Sequence, residues 1–236
     1  MQRKDLLASY KKRSHQIKKR LREFSKIYKQ GRWKIKNGEL LGVVFEPSEI
    51  KEYPDRFIFE ELAFCILTAG TSARLGIKCQ EKISPHLIEG SGEKIYLSLK
   101  SAGYRFPLSR AEYIIKTREF LFKECNLNLK SFIESFDDEI ALRDFFASNK
   151  AVKGLGYKEA SHFLRNIGLK GYAILDKHIV RSLNEVGLLK TVHPPRNRKE
   201  YLLMEEKLKK LAGELSLDFD ELDLLLWSEK TGEILK

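Results

Sequence analysis

Apolar side chains recur at helical spacing along most of the chain. Leu6, Leu7, Tyr10, Ile17, Leu21, Phe24, Ile27 and Tyr28 predict an amphipathic helix over about residues 4–29, which Gly31 ends. Asn37-Gly38 marks a turn or hairpin, and Leu40 to Phe45 fits a short strand. Pro47 and Pro54 bound the loop that follows. From Glu60 onward the pattern is helical, with helices predicted over 60–75, 83–89, 93–99, 108–124, 138–149, 157–167, 176–186, 198–211 and 219–228. No internal repeat interrupts this order. The fold class predicted is mainly α.

The 236 residues suffice for one or two domains with a real core, and 42% hydrophobic with 33% charged residues is a globular balance. A formal net charge of +11 changes the picture, because it favours an anionic partner, nucleic acid first. An incidental, solvated basic surface is the alternative. The first 36 residues carry 14 Lys or Arg and only two acids, Asp5 and Glu23. They are read as a basic N-terminal helical extension (1–36) to the main domain (37–236). Its basic face is either solvated or a source of extra phosphate contacts. Cys65, Cys79 and Cys125 are scattered, without a CxxC pair or metal-cluster spacing, which suits a reducing cytosol. No stretch approaches the ~20 apolar residues of a membrane span, and the basic N-terminus lacks the apolar core of a secretory signal.

The chemistry concentrates at Gly154-Leu155-Gly156-Tyr157-Lys158. Two glycines flank one apolar residue between two amphipathic helices. Such a turn lets a backbone approach closely, and amides at a helix start suit a phosphate oxygen. Gly154 and Gly156 are therefore candidate DNA-backbone contacts. Lys158 falls in the first turn of the next helix, where the positive helix end disfavours a cation. An amine nucleophile must shed its proton, and that field works in this direction; an ordinary surface lysine is the competing reading. Asp176 follows the apolar run Tyr172-Ala173-Ile174-Leu175 and is placed to cap a helix. The same carboxylate is able to take a proton from the amine or to stabilise positive charge on a sugar. His178 is either a phosphate contact or a helix-surface histidine.

Gly154-Leu155-Gly156-Tyr157-Lys158-Glu159-Ala160, followed by Leu175-Asp176-Lys177-His178, resembles the helix-hairpin-helix glycosylase superfamily. The longer string from Lys158 through His162 and Arg165 to Gly168 resembles its archaeal-type 8-oxoguanine DNA glycosylase/lyase branch. So do Phe64 to Ala73, Arg105-Phe106 with Arg110 to Ile114, and the ending from Trp227 to Lys236. The likeness covers roughly residues 57–236. It implies two helical subdomains with a cleft between them, and a bifunctional enzyme that excises 8-oxoguanine and then cleaves the strand. Lys158 would be the Schiff-base nucleophile and Asp176 the catalytic carboxylate. Phe106 and Trp227 would sandwich the flipped base, and Lys236 and His162 would help recognise it. Read without the family, Trp227 fits a core position and Lys236 a frayed end. The resemblance implies no metal and no redox cofactor, and a monomer working on double-stranded DNA containing oxidised guanine in the cytoplasm, at the nucleoid, with no membrane. One departure stands out: a side-chain amide is expected near position 70, where this chain has Gly70. That contact is either lost or supplied by Thr71 or Ser72.

Three rivals remain at this level: the same fold acting on another lesion, a non-catalytic DNA-binding module, and a small-molecule enzyme with an incidentally basic surface.

Overall fold

The computed structural model describes residues 3–45 and 53–236; the loop boundary expected at Pro47 lies outside them. The chain opens with α1 (Arg3–Ile27), then a hairpin of β1 (Gly31–Lys36) and β2 (Glu39–Phe45). Ten α-helices follow among the described residues: α2 (Arg56–Thr68), α3 (Ala73–Ile83), α4 (Gly92–Ser101), α5 (Pro107–Cys125), α6 (Leu129–Glu134), α7 (Glu139–Ser148), α8 (Tyr157–Asn166), α9 (Lys177–Glu185), α10 (Arg198–Leu215) and α11 (Phe219–Thr231). The fold is mainly α, as the periodicity predicts.

The hairpin turn is Asn37-Gly38, between the paired residues Lys36 and Glu39. Both take positive φ, 55° and 76°, the combination a two-residue turn needs to match strand twist. β1 is a strand that the hydrophobic pattern does not predict. Its partner strand carries one extra residue opposite Lys34-Ile35, where Gly42 adopts φ 124°.

Two predicted helices are corrected. The single helix over 60–75 is two helices, because Gly70 at φ 89° turns the chain and Ser72 accepts from the Leu75 amide (3.2 Å) to start α3. The helix expected over 83–89 shrinks to one 3-10 turn, Ser84–His86, since Pro85 has no N–H to continue an α-helical ladder. The short α6 carried too little periodicity to be read.

Packing divides the helices into two groups that meet at α2. That helix is buried on nearly every side, with Phe57, Ile58, Phe59, Leu62, Phe64, Ile66 and Leu67 in the core. A helix apolar all round belongs at the centre of a fold, and each such side chain stabilises by ~1.5–3 kcal/mol relative to exposure. On one side α2 packs with α3, α5 and α6, and α4 joins α3 and α5. On the other it packs on α8, which contacts α7 and α1, while α11 gathers α1, α9 and α10. Leu6, Ile17, Phe24 and Ile27 place the buried stripe of α1 in this shared core. Part of the basic face of α1 is spent internally: Arg13 donates to the Ser228 carbonyl (2.8 Å) and Arg20 to that of Ile234 (3.3 Å). Among the described residues, no helix is long and apolar enough to cross a membrane.

Candidate active site

A cleft of about 1010 Å³ opens between the turn before α3 and the faces of α8, α9 and α11. Lys158, Asp176, His162, His178, Trp227, Lys236 and Gly156 all line it, so most of the residues singled out from sequence converge on one cavity. Phe106 and Gly154 are not among its lining residues. Phe106 stands at the start of α5, 56% exposed, with the Arg105 guanidinium 4.9 Å from its ring centroid.

The turn between α7 and α8 explains the glycine pair. Gly154 adopts φ 80°, and a Cβ there would lie 2.8 Å from the Tyr113 ring and 2.9 Å from an Arg110 nitrogen. Positive φ and close packing thus both demand glycine. We expect Gly154→Ala to lower stability by about 1–3 kcal/mol, read as a drop in Tm with the unfolding transition otherwise cooperative. An unchanged Tm would mean the turn relaxes freely. Gly156 caps α8, and its amide is not left for a phosphate: Glu159 Oε2 accepts it at 3.2 Å. The other oxygen of Glu159 lies 2.9 Å from Lys158 Nζ. One carboxylate therefore closes the helix start and holds the candidate nucleophile. Sequence reasoning misses Glu159, although the Gly-x-x-Glu spacing is that of a capping box.

Lys158 occupies the second position of α8 and its side chain is 27% exposed, reachable from the cleft yet partly shielded. Asp176 caps α9 as the sequence predicts, accepting from the amides of His178 (2.8 Å) and Ile179 (2.9 Å). Both bonds land on Oδ1, so the cap does not occupy Oδ2.

The run leading to Asp176 is extended, without helix or sheet partners, and side chains hold it residue by residue. The amide of Gly171 donates to Asp220 (3.1 Å), that of Ala173 to Glu205 (3.0 Å) and that of Ile174 to Asp223 (3.1 Å). The Tyr201 hydroxyl accepts from Leu175 (3.4 Å), donates to the Ala173 carbonyl (2.5 Å) and reaches Ser161 of α8 (3.1 Å). Tyr201 thereby links the helix bearing Lys158 to the strand-like segment bearing Asp176. Glu205 is braced by a bidentate Arg143 guanidinium at 2.6 and 3.0 Å.

The cleft floor is electrostatically unusual. Burial, opposed by the nearby Arg165, pushes the Asp223 carboxyl up to about 7. His162 is 8% exposed and packs edge-on against Phe64 at 5.6 Å. Burial first, then the positive charges of Arg165, Lys158 and Lys236, hold it well below the ordinary histidine range, so it is neutral. Trp227 is half-buried and offers part of its indole to the cleft. Lys236 does not fray: its ammonium is buried against Glu61 (2.5 Å) and Gln80 (2.5 Å). Gly70, Thr71 and Ser72 form the opposite lip. At φ 89° position 70 suits glycine or asparagine, so Gly70 keeps the chain path while omitting the amide. The Ser72 hydroxyl is committed to its cap.

Comparison with known proteins shows the family and the fold. A family model described as 8-oxoguanine DNA glycosylase matches residues 45–217. The chain is 38% identical over 206 residues to the 8-oxoguanine DNA glycosylase/AP lyase of Methanocaldococcus jannaschii, spanning 86% of this chain and 96% of that protein. It is 39% identical over 224 residues to the enzyme of the same name from Aquifex aeolicus, spanning 93% and 92%. Its fold is similar to the crystal structure of the M. jannaschii 8-oxoguanine glycosylase/lyase in complex with a 15mer DNA containing 8-oxoguanine. There the TM-score is 0.78 at 34% identity, covering 98% of this chain and 99% of that one.

Proposed function

The chain belongs to the 8-oxoguanine DNA glycosylase family, and from that premise we propose that it excises 8-oxoguanine from double-stranded DNA and nicks the strand at the resulting site. The observation that carries this reading is the convergence of Lys158 and Asp176 on one cleft with Trp227 and His162.

A stacked base hides its glycosidic carbon, so the nucleotide must be extruded, at a few kcal/mol that a lesion reduces. The half-buried Trp227 offers a stacking face for the flipped base, with Phe106 as a second aromatic that would have to move into place. His162 and Lys236 border the same space. The free-amine form of Lys158 adds through Nζ to C1′ as the C1′–N9 bond breaks, and the proton that Nζ then gives up is relayed by way of Asp176 to the departing N9. Asp176, through Oδ2, accepts the proton the amine gives up and stabilises positive charge on the sugar. The sugar ring opens to an imine, which acidifies the C2′ proton. Loss of that proton expels the 3′ phosphate by β-elimination. The Gly154–Gly156 turn, through amides other than that of Gly156, which Glu159 holds, and His178 are assigned to the DNA backbone, with the basic surface supplying the remaining phosphate contacts. A monomer acting at the nucleoid completes the proposal, with α1 and β1 built into the enzyme's own core rather than forming a separate basic arm over 1–36.

The purified protein should release free 8-oxoguanine and nick a duplex containing it, while an undamaged duplex of the same sequence stays intact. Cleavage of duplexes with an alkylated or oxidised pyrimidine base, and not of this one, would reassign the substrate.

A further inference from the structure

Glu61 lies outside the chemistry assigned above, yet it is the hub of the buried wall behind the cleft. It sits on α2 and is 1% exposed. Its Oε1 accepts from Lys236 Nζ at 2.5 Å and from Gln80 Nε2 at 3.1 Å, and its Oε2 accepts from Asn166 Nδ2 at 3.1 Å. These donors come from three places: the tail after α11, α3, and the end of α8. Lys236 Nζ also donates to Gln80 Oε1 (2.5 Å) and stands 4.1 Å from the Phe64 ring centroid. The ammonium's three hydrogens thus meet a carboxylate, an amide oxygen and an aromatic face, and the side chain has no exposed surface.

Drawing a lysine tail and a carboxylate out of water is costly, and a buried ion pair is weak evidence for stability. Such a pair fixes geometry. Here the fixed residue lines the cleft beside His162, whose ring packs on the same Phe64 that faces the ammonium. 8-Oxoguanine differs from guanine by one carbonyl oxygen and one ring N–H. A site distinguishes such partners only if its polar groups are held where an unmatched one would be left unpaired.

We infer that Glu61, together with Gln80, is a positioning residue that anchors the buried Lys236 side chain and so holds the main chain of Lys236 in the cleft wall, governing recognition of the oxidised base rather than attack on the sugar. The inference rests on the proposed function. Its test separates base recognition from sugar chemistry. Single-turnover excision from an 8-oxoguanine duplex is compared with borohydride trapping on a duplex carrying a preformed abasic site, where no base needs recognising.

For Glu61→Gln we expect excision to fall about 30-fold, while abasic-site trapping stays within about threefold of the parent. Gln80→Met should show the same split at about fivefold, and it decides the matter alone if Glu61→Gln does not fold. Equal loss of both activities in a variant with a native melt, or unchanged excision, overturns the inference. A parent protein inactive on the lesion overturns the substrate assignment and this inference together, whereas an active parent with an unaffected Glu61 variant overturns the inference alone.

Discussion

Lys158→Gln is expected to eliminate the borohydride-trapped protein–DNA adduct and to lower strand nicking by about three orders of magnitude or more. Lys158 is the second residue of α8, borders the cleft and is held by Glu159 at 2.9 Å. A side chain 27% exposed in an ion pair with its chain neighbour contributes little to stability, within about 0.5 kcal/mol, so the variant should fold. Glutamine preserves length and polarity but has no amine to form an imine. Circular dichroism and Tm close to the parent's, with duplex binding retained and the adduct gone, would place the loss in chemistry. A persistent adduct would move the nucleophile to another lysine.

Asp176→Asn should lower excision by about 10²–10⁴-fold while leaving duplex affinity within about twofold of the parent. Asparagine is as good a helix cap as aspartate. Its amide oxygen is able to replace Oδ1 in accepting the His178 and Ile179 amides, so α9 should keep its start. What disappears is the charge and the proton-accepting capacity of Oδ2. Single-turnover excision and a binding isotherm on the same duplex check the split. Unchanged excision would reduce Asp176 to a cap.

The two residues at the centre of these predictions were legible because each carries a local signature. A lysine in the first turn of a helix contradicts the helix dipole, and an aspartate before an amphipathic run announces a cap. The hairpin glycines were legible for the same reason, since positive φ at Gly154 is a demand the sequence displays. The machinery that aims these residues was not. Tyr201, Glu205, Asp220 and Asp223 sit on α10 and α11 and hold the run before Asp176 through contacts 26–49 positions away in sequence. No local pattern encodes such distances. The one available hint was polar: Asp223 lies between Leu222 and Leu224, where an unpartnered carboxylate would be costly. Lys236 illustrates the converse. Read without the family it is a frayed end, and the resemblance implies a base contact; the partnership with Glu61, Gln80 and Phe64, which no local pattern displays, is what holds the side chain in place. Failures of element assignment were likewise tertiary or steric. β1 needed its partner strand, and the break at Gly70 looked like one more residue in an apolar helical run.

The central claim is that one amine, Lys158 Nζ, bonds to deoxyribose. Reducing the reaction on an 8-oxoguanine duplex with borohydride, then digesting the adduct and sequencing the modified peptide by mass spectrometry, tests it most directly. The account predicts the sugar remnant on Lys158. A remnant on any other lysine or on the N-terminal amine, or base release with no adduct at all, would contradict it.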